Sequence, residues 1–203
     1  MNLEQIATKH KTAKVPHGFM PVYERMIGHL RDEDITLVEI GVANGASMKT
    51  WSEYFTKAKI IGLEKQVEWD EPIKRVTVIK CDAVSHKETK RAIEHYGMAD
   101  IIIDDGSHIV GEQMAAIDNL WFSLKPGGWY VIEDLFALYD PEWNKSGERN
   151  IVDVVCERIK SILVGGGPIQ EVHFFGRNNI NGILFLRKRH EPYRIQPLSE
   201  FNL

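Results

Sequence analysis

The chain has 203 residues, 43% apolar and 27% charged, with a formal charge of −4. This length holds one substantial core and leaves little for a second large domain, and the charge offers no field for nucleic acid or anionic lipid. No apolar run approaches the ~20 residues that span a bilayer, and the opening "MNLEQIATKHKTAKVPHG" lacks a secretory apolar core. Cys81 and Cys156 form no CxxC pair and read as reduced, buried thiols of a cytoplasmic protein.

From residue 36 onward, short β-rich runs alternate with helical periodicity. "TLVEIGV" (36–42) reads as a strand, and "SMKTWSEYFTKA" (47–58) as a helix that turns Met48, Trp51 and Tyr54 or Phe55 inward. "KIIGLEK" (59–65) and "VTVIKCD" (76–82) are the second and third strands. "SHKETKRAIEHYG" (85–97) pairs Ser85 with Glu88 as a capping box and stops at Gly97. "ADIIIDD" (99–105) is the fourth strand, and "GEQMAAIDNLWFSL" (111–124) a helix ended by "KPGG". "WYVIEDL" (129–135) is the fifth strand, followed by an irregular aromatic stretch and a helix over 149–164. "QEVHFFG" (170–176) and "GILFLRKR" (182–189) close the chain as a hairpin across "RNNIN". Strand–helix alternation predicts a seven-stranded, Rossmann-like α/β sheet, mostly parallel, with helices on both faces and an antiparallel C-terminal hairpin strand.

Ligands of such sheets bind outside the carboxyl ends of the strands, so the residues just after each strand are the candidates. Gly41 and Gly45 flank a tight turn into a helix N-terminus, which reads as an αβ turn or a ligand loop. Ala43 stands where GxGxxG requires its second glycine, which disfavours a dinucleotide. Glu64 can accept both hydroxyls of a ribose, or be a surface carboxylate beside Lys65. Asp82 can accept from the exocyclic amine of adenine, or open the next helix. Together the order fits an adenosyl ligand without a diphosphate.

"IIIDDGSH" (101–108) poses the sharper question, because a buried strand ends in Asp104, Asp105 and His108. A polar turn is the plain reading, and a metal-and-base corner the other. Asp105 after the fourth strand, with Glu133 and Asp134 after the fifth, would crowd three carboxylates into one cleft. A hard divalent cation such as Mg²⁺ or Mn²⁺ relieves that repulsion. Neighbours in a strand face opposite ways, so Glu133 and Asp134 converge only if the strand ends or twists there. His108 can then act as the base for a hydroxyl, or stand beside the cap of the next helix. Asp104 is read as satisfying backbone donors.

"VEIGVANGAS", "GLEK", "KCDA", "ADIIIDDGSH" and "LKPGGWYVIEDL" together resemble class I S-adenosylmethionine-dependent methyltransferases. Within these they are most similar to the metal-dependent sugar O-methyltransferases of macrolide and rhamnoside tailoring, over about residues 8–140. "HGFMPVYERMIGHLR" (17–31) is similar to that family's N-terminal helix. The resemblance implies one domain, with residues 1–35 as a helical segment covering the site and 36–203 as the methyltransferase domain. It implies S-adenosyl-L-methionine held by Glu39, Gly41, Gly45, Ser47, Glu64, Asp82 and Asp104. Mg²⁺ or Mn²⁺ would sit on Asp105, Glu133 and Asp134, with His108 as general base. The acceptor would be a hydroxyl of a sugar or glycosylated small molecule, with neither nucleic acid nor membrane as partner. An apolar N-terminal helix face also raises the expectation of a homo-oligomer.

Ala43 departs from the family's usual glycine, and the chain is short for a group that often carries an acceptor-selecting lid or domain. Phe136, Tyr139 and Trp143 are candidate acceptor walls, and Tyr23 or His17 candidates to close over the cofactor. The alternatives are a catechol-like O-methyltransferase, a cephalosporin hydroxylase-type protein and a non-catalytic binding protein. A dinucleotide oxidoreductase ranks last.

Overall fold

A computed structural model describes residues 1–67, 71–144, 147, 149–163, 166–177 and 181–190. In chain order they form α1 (Leu3–His10), α2 (Met20–Ile27), β1 (Thr36–Ile40), α3 (Ala46–Tyr54), β2 (Lys59–Glu64), β3 (Val76–Lys80) and α4 (His86–Tyr96). Then come β4 (Ala99–Asp104), α5 (Val110–Leu120), β5 (Leu124–Ile132), α6 (Ile151–Leu163), β6 (Ile169–Arg177) and β7 (Asn181–Lys188). The seven strands make one sheet in the order β3-β2-β1-β4-β5-β7-β6. The pairs among β1 to β5 are parallel, and β7 runs antiparallel to both β5 and β6. This is the Rossmann-like sheet that strand–helix alternation predicts.

The central strands are apolar on both faces, as a covered parallel sheet requires. Ile101, Ile102 and Ile103 of β4 are all fully buried, each stabilising the fold by about 1.5–3 kcal/mol through burial. Ile102 packs with Tyr130 and with residues of α4, α5 and α6 on one face. Ile101 and Ile103 pack on the other with Leu3 and Ile6 of α1, Tyr23 of α2, and Met48 and Trp51 of α3. Alternation along β4 therefore decides which helix layer each residue meets, and the same alternation separates the site's carboxylates.

Several local details differ from the sequence reading. Ser85 does cap α4, but the Glu88 carboxylate accepts from the Asp82 N–H at 2.9 Å rather than closing a box on Ser85. Glu88 thus ties α4 to the end of β3. The helix over 111–124 is shorter: α5 stops at Leu120, a single 3₁₀ turn follows, and "KPGG" already belongs to β5. The β4–β5 register shifts there, from Ala99 opposite Leu124 to Ile101 opposite Trp129, so the Pro–Gly–Gly residues are absorbed as an irregularity of the strand. The connection 178–180 lies outside the described residues. Cys81 is buried as expected, whereas Cys156 is exposed because it falls on the solvent side of α6.

β1 and β4 are adjacent, yet the chain leaves β1 toward β2 and leaves β4 toward β5. A crevice opens at such a switch point. Gly41 makes the crevice narrow. It has φ +87°, and a Cβ there would lie 2.2 Å from the Asp105 carbonyl oxygen, so only glycine lets the two loops touch. Ala43, at φ +45°, also sits in left-handed space. The loop keeps the path a glycine would give it and bears the strain of a Cβ. Ala43→Gly is expected to raise stability by up to about 1 kcal/mol, seen as a rise in Tm of about 3 °C. An unchanged or lower Tm would show that the loop has relaxed around the methyl group.

Candidate active site

A cavity of about 690 Å³ lies over the carboxyl ends of β1 to β4. Gly41, Ala43 and Ser47 from the loop and first turn of α3 line it, with Glu64 after β2, Asp82 after β3, and Asp104 and Asp105 at the end of β4. Lys11, Thr12 and Ala13 line it from the N-terminal segment. Glu64 bridges the loops: one carboxylate oxygen accepts from the backbone N–H groups of Val42 and Ala43 at 2.8 and 3.3 Å, the other from Gln66 at 3.2 Å. Asp82 meets Lys65 at 2.8 Å, and that hydrogen bond holds its carboxyl below the usual range. Gly45, with φ +75°, starts α3 from behind the cavity wall.

Glu39 does not reach the cavity. It is fully buried on the α1–α3 face, where the Trp51 indole N–H donates to Oε2 at 2.5 Å and the Lys14 ammonium lies 3.1 Å from Oε1. Glu133 occupies the same face, 1% exposed, bound to Lys14 at 2.8 Å and accepting from the Tyr23 hydroxyl. Lys14 also pairs with Asp105. One buried ammonium is therefore shared by a ring of three carboxylates, and its single charge offsets only one of theirs. Burial opposes the charge on Lys14, yet Glu133, Glu39 and Asp105 outweigh it and raise its pKa well above the ordinary value. Burial, then the Asp105 charge, push Glu133 well up against the opposing pull of Lys14; Glu39 is raised chiefly by burial. Tyr23 is likewise raised, first by burial and then by Glu133.

Sequence reasoning missed Lys14. Its signal was indirect: Glu39 and Glu133 on apolar strands demand a buried cation, and "KTAKVPHG" is the basic segment able to supply one.

Asp134 turns away from Glu133. Strand β5 ends at Ile132 and Asp134 adopts φ +55°, the local break that lets adjacent acids reach different places. Asp134 joins Asp105 and His108, and one ligand atom from each lies within 4.8 Å of the others. Its carboxylate is 3.7 Å from His108 Nε2 and 3.4 Å from His17 Nδ1. Burial raises the Asp134 pKa, and the two imidazoles oppose that shift. His108 is itself at φ +60°, with the Trp143 ring edge-on at 6.0 Å and Phe136 against Trp143 at 6.5 Å. Tyr139, in contrast, is 75% exposed. The structure thus brings two of the three expected ligands together, puts His108 beside them, and commits Glu133 to Lys14 and Tyr23.

Asp104 faces the opposite layer. It is 2% exposed, Oδ1 accepts from the Gly106 N–H at 3.3 Å, and Oδ2 has no hydrogen-bond partner among the described residues. Burial pushes its pKa up to about 7.

No family model matches the chain. The fold, the cavity over its strand ends and the acidic corner define a class I methyltransferase fold, the one that the five sequence motifs predict. The chain is 32% identical over 149 residues to the 8-demethyl-8-(2-methoxy-α-L-rhamnosyl)-tetracenomycin-C 3′-O-methyltransferase of Streptomyces olivaceus, a match covering 69% of this chain and 38% of that protein. It is 31% identical over 149 residues to the mycinamicin VI 2″-O-methyltransferase of Micromonospora griseorubida, covering 69% of this chain and 37% of that one. Among solved structures it resembles the MycE methyltransferase of the mycinamycin biosynthetic pathway, determined with Mg, SAH and mycinamycin VI. There the TM-score is 0.80 at 26% identity, over 97% of this chain and 57% of that one. The chain is thus similar in sequence to these two O-methyltransferases, and its match spans well under half the length of each. No helix among the described residues is long and apolar enough to cross a membrane.

Proposed function

We propose that the chain is an S-adenosyl-L-methionine-dependent O-methyltransferase that uses a divalent cation and acts on a hydroxyl of a sugar or glycosylated small molecule. One observation carries this reading. The cavity that would take the adenosyl donor and the Asp105–His108–Asp134 corner meet at Asp105, which belongs to both.

In this reading Gly41 and Ser47 face the methionine portion, while Glu39 and Gly45 shape that wall from behind. Glu64 would accept from the ribose hydroxyls, and Asp82 from the adenine amine. Asp104 lines the cofactor side. The donor set fits a hard cation, because Asp105 and Asp134 offer oxygen atoms and Mg²⁺ prefers carboxylates and water to imidazole. Glu133 would be the third ligand expected from the sequence, and it lies beside this corner, bound to Lys14, which also pairs with Asp105. When bound, the ion lowers the pKa of an acceptor hydroxyl placed against it. His108, left free by that preference, takes the hydroxyl proton, and Trp143 fixes its ring. The rest of catalysis is alignment of the oxygen with the methyl group in a dry site. Lys11, Thr12 and Ala13 line the cavity, consistent with an N-terminal segment 1–35 covering a methyltransferase domain from 36 onward. Free Cys81 and Cys156 suit a reducing compartment such as the cytoplasm.

Titration calorimetry with S-adenosylhomocysteine and with Mg²⁺, on wild type and Asp105→Ala, tests the proposal. Wild type is expected to bind both, and the variant to keep the nucleoside ligand while losing the metal. Turnover is then assayed on a panel of rhamnosides and macrolide glycosides. Absence of S-adenosylhomocysteine binding with and without metal would remove the reading.

A further inference from the structure

Gln113 stands in the first turn of α5 and lines the same cavity, 3% exposed. Both ends of its amide, Oε1 and Nε2, are buried without a hydrogen-bond partner among the described residues. An uncharged amide orphaned at both ends is costly, and folding supplies no compensation for it here. The same cavity is also lined by Cys81, Ala83 and Ala116. These are small and mostly apolar, the lining a flat aromatic ring requires. Asp82 lines this cavity too. A primary amide offers an acceptor and a donor side by side, which matches the exocyclic amine and adjacent ring nitrogen of adenine.

We propose that Gln113 is a specificity-determining residue that reads the adenine edge of the nucleoside ligand, Oε1 accepting from the 6-amino group and Nε2 donating to a ring nitrogen. The inference rests on the adenosyl reading above and adds to it which side chain selects the base. Asp82 takes the second hydrogen of the same amine, so the two residues divide one group between them. A purely structural role predicts the opposite thermodynamics. A glutamine kept for packing or internal bonding stabilises the empty protein, whereas one kept for a ligand burdens it.

The test compares wild type with Gln113→Met, which keeps the length and removes both polar atoms. Affinity for S-adenosylhomocysteine and for its analogue lacking the 6-amino group is measured by calorimetry, and Tm is measured without ligand. Wild type is expected to prefer the amino compound, with Gln113→Met weakening its binding roughly 10- to 100-fold and reducing that preference. The ligand-free variant is expected to melt about 3 °C higher, since an unsatisfied amide has been removed. Comparing the two ligands on both proteins separates Gln113 from Asp82, whose contribution is present in each. If wild type binds S-adenosylhomocysteine and the variant keeps both affinity and preference, the assignment to Gln113 is wrong and the adenosyl reading stands. If wild type does not bind it, both fall together.

Discussion

Lys14→Met is expected to cost about 3–5 kcal/mol of stability near neutral pH, a fall in Tm of about 10 °C. The substitution keeps the length of the side chain and removes its charge, leaving Glu39 and Glu133 buried with no counter-ion. The pH dependence gives the effect a signature. The folded pKa of Lys14 lies above its unfolded value, so its contribution is complete below that unfolded value and is lost only as pH rises through the folded one. Glu39 and Glu133 are raised by burial, so the folded protein holds their protons more tightly than the unfolded chain does. Without the ammonium they are raised further, and the variant should regain stability as pH falls and they become neutral. Chemical denaturation of both proteins from weakly acid to weakly alkaline pH measures this. A variant as stable as wild type at the alkaline end would show that the ring of acids is held by something other than Lys14. The substitution also frees the segment whose Lys11, Thr12 and Ala13 line the cavity, so nucleoside binding should weaken with stability.

The sheet was legible because its apolar runs are short, β-branched and separated by helical periodicity, so β1 to β4 begin and end within two residues of expectation. Boundaries failed where two signals conflicted. "KPGG" carries turn chemistry, yet the β4–β5 pairing extends past it at the expense of a regular register. The positions of Gly41, Glu64, Asp82 and Asp105 around one cavity followed from the rule that parallel sheets keep their ligands at strand ends. What pattern could not settle was which acid meets which partner. Glu133 and Asp134 are neighbours in sequence, and only the left-handed turn at Asp134 sends one to Lys14 and the other to His108. Lys14 itself lies 25 residues upstream of Glu39 and 119 from Glu133, a distance across which no local spacing reports. Left-handed Ala43, His108 and Asp134 all border this one end of the sheet, where strain of the kind that accompanies function is concentrated.

Asp104→Asn is expected to stabilise the ligand-free protein, by as much as about 4 kcal/mol near pH 8. The folded pKa of Asp104 is about 7 against an ordinary value of 3.8, and burial is the first cause. The sign follows from proton binding. Between those two values the folded protein keeps a proton that the unfolded chain releases, so wild-type stability falls as pH rises from about 4 to 7 and stays low above. Asparagine carries no charge to desolvate, and its carbonyl can still accept from the Gly106 N–H. The variant should therefore lose most of this pH slope and be the more stable protein in alkaline solution, while the two converge in acid. Denaturation curves for both proteins across this window decide it, and an unchanged slope would mean that Asp104 is solvated in solution. The result bears on function because a chain gains nothing in the empty state from an uncompensated carboxyl beside Asp105. Asp104 lines the cavity and its Oδ2 has no partner among the described residues, so a bound nucleoside ligand can supply one. Asp104→Asn should then bind S-adenosylhomocysteine more weakly even as it folds more stably, and it would share with Gln113→Met the mark of a residue retained for a ligand.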